Sequence, residues 1–328
     1  MKKLMISLDK KILDKDSHVA QRMIEYGKED ELFIIIPSNQ KIHLKLSPNV
    51  HVHATGGNKI TQFIRTVRIG IKLSKEKKIE KVTTQDPFFT GLAGLKIKRV
   101  TGVALEVQLH GDFFSSDYYK KNYPLRYKLA LYIINQADSL RVVGERIYKS
   151  LLELDIKKEK ISIQPILIDK EKILKHKVQV DLHKKYSGYN KIFLVLGRLE
   201  KVKNIMFVVS IFEQEILKNN KDILLLIVGN GSQEKKLKEE VEITHTTENI
   251  KFESWTNDPI SYLKTSDCLL FPSFSEGYGL VPVEASVAGC KVIMNDVGLA
   301  NYELPTSALV NIIPIENHKK WIGEIKKI

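Results

Sequence analysis

The sequence predicts an α/β chain of two Rossmann-like domains facing across a cleft. Three observations lead there. Short apolar segments alternate with helix-like ones along all 328 residues, the pattern of parallel sheets covered by helices. The alternation pauses at a polar, lysine-rich passage and then starts afresh. The chain is also long for one hydrophobic core and comfortable for two. The reading is a first domain over 1–168, a linker region over 169–190, a second domain over 191–310 and a short C-terminal tail over 311–328.

Taken in order, the strands of the first domain are KLMISL, ELFIIIP, VHVHAT, KVTTQ, ALEVQLHG, SLRVVG and KISIQPI. Helical spacing occupies the stretches between them, as in SHVAQRMIEYGK and KITQFIRTVRIGIKLSKEKKIE. The linker passage DKEKILKHKVQVDLHKKYSGYNK has no strong core signal. The second domain runs through KIFLVLGRLEK, DILLLIVGNGS, NIKFESW, CLLFPSF, KVIMNDVG and ALVNIIP. In such sheets ligands bind at the carboxyl ends of strands.

Composition narrows the class. With 43% hydrophobic and 28% charged residues the chain reads as a soluble globular protein, and no apolar run reaches the roughly 20 residues of a spanning helix. The opening MKKLMISLDKK is too short in apolar residues for a signal peptide and reads as a buried strand. Cys268 and Cys290 lie in apolar strand contexts without metal-ligand spacing, as free thiols of a reducing cytoplasm would. Charge is uneven. Residues 1–190 carry 36 Lys and Arg against 21 Asp and Glu, whereas residues 191–310 carry 12 against 16. A basic front half suits an anionic partner, and equally a set of solvated lysine-rich helix faces.

Three strand ends in the second domain carry the chemistry. FLVLGRLEKVKN ends a strand at Gly197 and presents Arg198, with Lys203 five residues on. Arg can fork onto phosphate oxygens and Lys acts as a point charge, so the pair suits a diphosphate. LLLIVGNGS is a strand running into a Gly-Asn-Gly turn, without the third glycine of a dinucleotide motif. SFSEGYGLVPVEASVAG is a loop followed by a helix from about Leu280, with Pro282 in its first turn and Gly289 at its end. Glycines let backbone approach a ligand, and free amides at a helix start favour an anion. Two carboxylates flank that spot, Glu276 before it and Glu284 one turn inside. Carboxylates beside a phosphate serve best as acceptors for sugar hydroxyls, so a diphosphate with a sugar on each side, a nucleotide sugar, is the ligand these residues describe. Glu276 taken alone reads equally as a surface loop residue, and Glu284 as a helix-dipole partner.

GRLEKVKN, LLLIVGNGS, KFESW, LLFPSFSEGYGLVPVEASVAGCKVI and NDVG, in this order, resemble the donor half of family 4 glycosyltransferases with the GT-B fold. The Glu276-to-Glu284 spacing is similar to that family's two-glutamate signature. QDPFFTGLAGL, VQLHGDFFS and VVGERIYKSLLELDI resemble the first half more loosely. The resemblance implies retaining transfer, of hexosyltransferase type, from a nucleotide diphosphate sugar, with no metal and no cofactor. It implies catalytic roles for Arg198, Lys203, Glu276 and His110. Arg198 and Lys203 would neutralise the diphosphate, Glu276 would hold the donor sugar and His110, at a strand end of the first domain, would reach that sugar. Gly197, Gly277, Tyr278, Gly279 and Leu280 would line the phosphates, Glu284 the ribose, and Trp255 and Thr256 the base. The expected partners are a UDP- or GDP-linked sugar and a glycan or lipid-linked acceptor, in surface polysaccharide or glycolipid synthesis.

Other classes match fewer of these residues. A sugar-nucleotide epimerase shares the architecture. A glycosidase also uses two carboxylates but has no need of Arg198 and Lys203. Nucleic-acid binding is not expected, because the half bearing the motifs lacks the excess of positive charge and no nucleic-acid-binding motif occurs. The Asp-x-Asp at 14–16 reads as a capping cluster before SHVAQR rather than a metal site. The helix KITQFIRTVRIGIKLSKEKKIE has an apolar stripe with many cations, which suits peripheral contact at the inner face of a membrane by a cytoplasmic protein, or simple packing on the sheet. GDFFSSDYYKKNYP offers rings either to an acceptor sugar or to one another.

Overall fold

A computed structural model describes every residue except Ser116 and Asn219. The chain divides into two compact units: Met1–Val143 with Ile147–Pro165, and Gly144–Arg146 with Ile166–Ile328.

Among the described residues the first unit holds one eight-stranded sheet. Its strands are β1 (Lys2–Ile6), β2 (Glu31–Ile36), β3 (Lys41–Ser47), β4 (Val50–Thr55), β5 (Lys81–Thr84), β6 (Ala104–Leu109), β7 (Ser139–Val142) and β8 (Ile161–Ile163). They lie in the order β3-β4-β2-β1-β5-β6-β7-β8. All pairs are parallel except β3 with β4, a hairpin edge. Ile34, Ile35 and Ile36 are fully buried, as strands covered on both faces require. Strand β3 was not expected. Its sequence KIHLKLS alternates Lys and His with Ile and Leu, so one face is exposed and the other packs against the buried cluster around Ile34 and Val52.

Three helical features refine the sequence reading. The cap before His18–Tyr26 is Ser17, whose Oγ accepts from Ala20 N, and Asp14 steadies the approach by accepting from Asp16 N. Helix Lys59–Lys77 leaves Ile60 73% and Ile64 43% exposed while burying Leu73 and Thr66. The rings of 111–124 pack edge to face, Phe113 on Phe88 and on Tyr119, and Phe114 on Tyr127. Ser116 of that stretch lies outside the described residues.

The second unit holds a parallel six-stranded sheet among the described residues, in the order β11-β10-β9-β12-β13-β14. These strands are β9 (Lys191–Leu196), β10 (Ile223–Val228), β11 (Ile250–Glu253), β12 (Cys268–Phe271), β13 (Lys291–Met294) and β14 (Val310–Ile312). Winding starts at β9, runs one way to β11, then returns to β12 on the other side of β9. The crevice between the carboxyl ends of β9 and β12 is therefore the switch point where such sheets bind ligands. Cys268 and Cys290 are buried free thiols.

Residues 169–190 fold onto this unit. They form the short helices Lys170–Lys175 and Leu182–Lys185, which bury Ile173 and Leu182, and Lys264 Nζ donates to the carbonyls of Leu174 and His176. Residues 311–328 do likewise. Helix His318–Ile325 sinks Trp321 fully into the core beside Phe207, with its indole N–H donating to Ile313 O at 3.2 Å.

Candidate active site

The switch point of the second unit is built from three loops locked together by backbone. After β9 the chain passes Gly197 (φ 150°), Arg198, buried Leu199 and Glu200, then a short 3-10 turn at Lys201–Lys203 and a left-handed Asn204. After β10 comes the Gly-Asn-Gly turn. Gly197 N donates to Val228 O, Leu199 N to Asn230 O and Gln233 N to Leu199 O. A Cβ on Gly229 would stand 1.9 Å from Gly197 O, and one on Gly231 2.4 Å from Leu199 O. These two glycines therefore let the turn lie directly on the Arg198 loop, a closer fit than an ordinary strand-to-helix turn. Ser232 donates from N and Oγ to Glu200, which holds the Glu200 carboxyl below its usual range with help from the charge of Arg198. The Arg198 side chain itself is exposed.

After β12, residues 272–279 lead into helix Leu280–Ala288, with Pro282 in the first turn and Gly279 (φ 83°) and Gly289 (φ 85°) at its two ends. Phe274 N donates to Val202 O, joining this loop to the one after β9. The loop after β13 supports it from below. Leu299 N donates to Tyr278 O, and Gly298 lies so close that a Cβ there would be 2.5 Å from the same oxygen. Arg146 fixes that support by ion-pairing with Asp296, donating to the carbonyls of Gly298 and Ala300, and covering the Tyr302 ring. The sequence did not single out Asn230, Arg146 or Gly298. All three lie in segments quoted for the resemblance, where none was given a role, and each acts through contacts it makes only in the folded chain.

The predicted charges meet here. Lys203 Nζ lies 2.5 Å from Glu276 Oε1, with side chains 19% and 12% exposed, and 5.2 Å from the centroid of Phe271. A cation expected for phosphate and a carboxylate expected for a sugar are thus paired with each other, which satisfies two mostly buried charges at once. Gly197, Arg198, Lys203 and Ser273 border a small crevice at the same place.

Glu284 stands apart from that pair. With Leu280 it lines a cavity of about 340 Å³ whose other walls include Ile168, Lys172, Asn257 and Pro259. Its carboxylate has no hydrogen bond or ion pair among the described residues, and burial alone raises its pKa. Such a group is an acceptor held ready for hydroxyl or amide donors. Thr256 immediately precedes Asn257 at the cavity, and its Oγ1 accepts from Asp258 N. Trp255 is 60% exposed, its backbone N donating to Asn230 Oδ1. Tyr278 is buried, which raises its pKa, with the charge of Glu303 adding to the effect. Gly277 lies in the loop between Glu276 and Tyr278.

His110 belongs to the first unit, at the carboxyl end of β6. Its Nε2 is 3.0 Å from Gln108 Oε1. The ring reaches solvent, yet the protein atoms crowded about it lower its pKa, and so do the charges of Arg141 and Arg22. Among the described residues no cluster of His, Cys, Asp and Glu is arranged to hold a metal.

The chain is similar to known proteins in sequence and in fold. Residues 182–326 match the family model described as Glycosyl transferases group 1, so the second unit carries that domain. Over 239 residues the chain is 30% identical to the Escherichia coli UDP-Gal:alpha-D-GlcNAc-diphosphoundecaprenol alpha-1,3-galactosyltransferase, covering 69% of this chain and 60% of that protein. It is 31% identical over 156 residues to the Staphylococcus aureus capsular polysaccharide biosynthesis glycosyltransferase CapH, covering 45% and 42%. The chain thus spans about half the length of these curated relatives. The structure of Anabaena HepE in complex with UDP-glucose superposes with a TM-score of 0.73 at 14% identity, covering 100% of this chain and 89% of that one. That likeness gives the fold: two Rossmann-like units of the GT-B class.

Proposed function

We propose that this chain transfers a sugar from a nucleotide diphosphate sugar to an acceptor hydroxyl, with retention at the anomeric carbon and without a metal, in building a polysaccharide or glycolipid. The observation that carries the reading is the switch point itself. Arg198 and Lys203 border the crevice between β9 and β12, Lys203 pairs with Glu276 in the loop that leads into helix Leu280–Ala288, and Glu284 one turn along that helix lines a second cavity and has no protein partner among the described residues.

Each group has a task in the reaction. Arg198 and the helix amides bind the diphosphate. Lys203 exchanges Glu276 for phosphate oxygens, which frees the Glu276 carboxylate to accept from hydroxyls of the donor sugar. Glu284 accepts from the ribose. Stabilising the departing diphosphate is the main catalytic term; the acceptor hydroxyl attacks from the face the diphosphate leaves, the bond from the anomeric carbon to the diphosphate oxygen breaks, and the leaving phosphate takes the hydroxyl proton. The names of the E. coli and Anabaena proteins favour a UDP-linked donor and a lipid diphosphate acceptor. Peripheral membrane contact fits helix Lys59–Lys77, where exposed Ile60 and Ile64 stand beside exposed Arg65, Arg68, Lys72 and Lys75. None of the described helices is long and apolar enough to cross a membrane.

The deciding experiment is a calorimetric and thermal-shift screen against UDP, GDP, ADP and their sugar conjugates. Binding of one diphosphate, lost in Arg198→Ala, supports the donor site. Absence of binding by all of them overturns it. For the membrane contact, the chain should float with anionic liposomes and release as salt is raised; no association at low salt removes that part.

A further inference from the structure

His110 sits at the end of a line of polar side chains that runs along one face of β5 and β6. Lys81 Nζ lies 3.2 Å from Glu106 Oε2, and Thr83 Oγ1 lies 2.9 Å from Glu106 Oε1. Gln108 Nε2 is 2.7 Å from Thr83 Oγ1, and Gln108 Oε1 is 3.0 Å from His110 Nε2. Residues 106 and 108 share a face of β6, His110 continues the alternation just past its end, and Thr83 is the register partner of Glu106. Gln108 and Thr83 are 2% and 4% exposed, so their polar atoms must be satisfied by one another.

The direction of every hydrogen bond in this line follows from its ends. The carboxylate of Glu106, paired with the Lys81 ammonium, can only accept, so the hydroxyl of Thr83 donates to it. The Thr83 oxygen then accepts, and only the NH2 of Gln108 can donate to it. That turns the carbonyl oxygen of Gln108 toward His110. His110 Nε2 must therefore carry a proton, and in the neutral ring Nδ1 keeps its lone pair.

We propose that Glu106, Thr83 and Gln108 act as positioning residues that lock His110 in the Nε2–H tautomer, presenting Nδ1 as an acceptor for a hydroxyl of a sugar substrate. The hydroxyl part rests on the function proposed above; the tautomer lock does not.

One substitution reverses the chain without removing it. In Glu106→Gln the amide oxygen faces Lys81, because an ammonium can only donate. Its NH2 then donates to Thr83, whose hydroxyl turns to donate to Gln108 Oε1. Gln108 presents NH2 to His110, and the ring must accept at Nε2 and carry its proton on Nδ1. The experiment is NMR of the full chain labelled with 13C and 15N in histidine, at a pH where the ring is neutral, the His110 signals being assigned by their absence in His110→Asn. Wild type should show the Nε2–H tautomer, Thr83→Ser should keep it, and Glu106→Gln should show Nδ1–H. An Nδ1–H ring in wild type, or an unchanged ring in folded Glu106→Gln, overturns the lock. Should Glu106→Gln not fold, Thr83→Val decides: loss of the single tautomer supports the lock and an unchanged Nε2–H ring overturns it. Turnover tests the hydroxyl part separately. With the tautomer inverted, kcat/KM for the nucleotide sugar should fall by about tenfold, the scale of one lost hydrogen bond. An inverted tautomer with unchanged kcat/KM overturns the role given to Nδ1.

Discussion

The two units wind their sheets the same way and equip them differently. Each sheet reverses direction beside its first strand, between β1 and β5 in the first unit and between β9 and β12 in the second. At the first reversal Ser7 Oγ donates to Gln85 Oε1 at 2.7 Å, a neutral closure. At the second, Lys203 and Glu276 form a mostly buried ion pair, and Gly229 and Gly231 let the loop after β10 lie on the loop after β9. Net charge runs the other way. Residues 1–165 hold the cationic excess, 30 Lys and Arg against 18 Asp and Glu, and residues 166–328 carry 22 against 21. The proposed anion site thus rests on a few groups fixed at strand ends, not on the charge of the domain around them. The winding supplies a switch point twice, and under the function proposed above the loops decide which of them takes a diphosphate.

The largest expected effect tests whether the units are separable. Trp321→Ala removes a fully buried indole from the core of the second unit, at a cost of about 3–5 kcal/mol. Hydrogen exchange should then show β9–β14 losing protection while β1, β2 and β5 keep theirs. Equal loss in both sheets would mean that the units unfold as one.

A smaller effect tests the two switch points against each other. Arg198→Ala and Glu284→Ala should each cut turnover at least about tenfold, near 1.4 kcal/mol in the barrier, with the folded spectrum unchanged. Ser7→Ala at the matching reversal of the first unit should change turnover by far less. Comparable losses at Ser7 and Arg198, measured as kcat/KM, would break the contrast between a neutral and a charged switch point.

How much of this could be read from the sequence also differs by unit. In the second unit each apolar run became the expected strand, and the helix expected from about Leu280, with Pro282 and Gly289, formed over Leu280–Ala288. Fully buried parallel strands leave an uninterrupted apolar signature, and Gly and Pro mark the turns. The Lys203–Glu276 pair was not legible, because 73 residues separate the partners and only the winding of the sheet brings β9 beside β12. In the first unit β3 was missed because an edge strand with one wet face looks like a polar loop. The short helices of 170–185 were missed because each buries a single residue, Ile173 or Leu182. The His110 chain hides for another reason: Glu106, Thr83 and Gln108 are unremarkable singly, and their meaning lies in hydrogen-bond direction across two strands.

The smallest effect sharpens the comparison at one carboxylate. Burial raises the pKa of Glu284 above its ordinary 4.5. The folded state therefore holds that proton more tightly than the unfolded state does, and stability is lost as pH rises from 4.5 through the raised value. Glutamine carries no such charge. Glu284→Gln should match wild type in Tm below pH 4.5 and exceed it at neutral pH, by a margin that grows across the titration. A carboxylate destabilising in the free protein has a use if a ligand's hydroxyls donate to it, since they favour the charged form. Nucleoside diphosphate should then bind wild type more tightly as pH rises through that window, and Glu284→Gln should lose this dependence. A variant equally stable and equally pH-dependent in binding would place the ribose elsewhere and leave Glu284 a wall of the cavity.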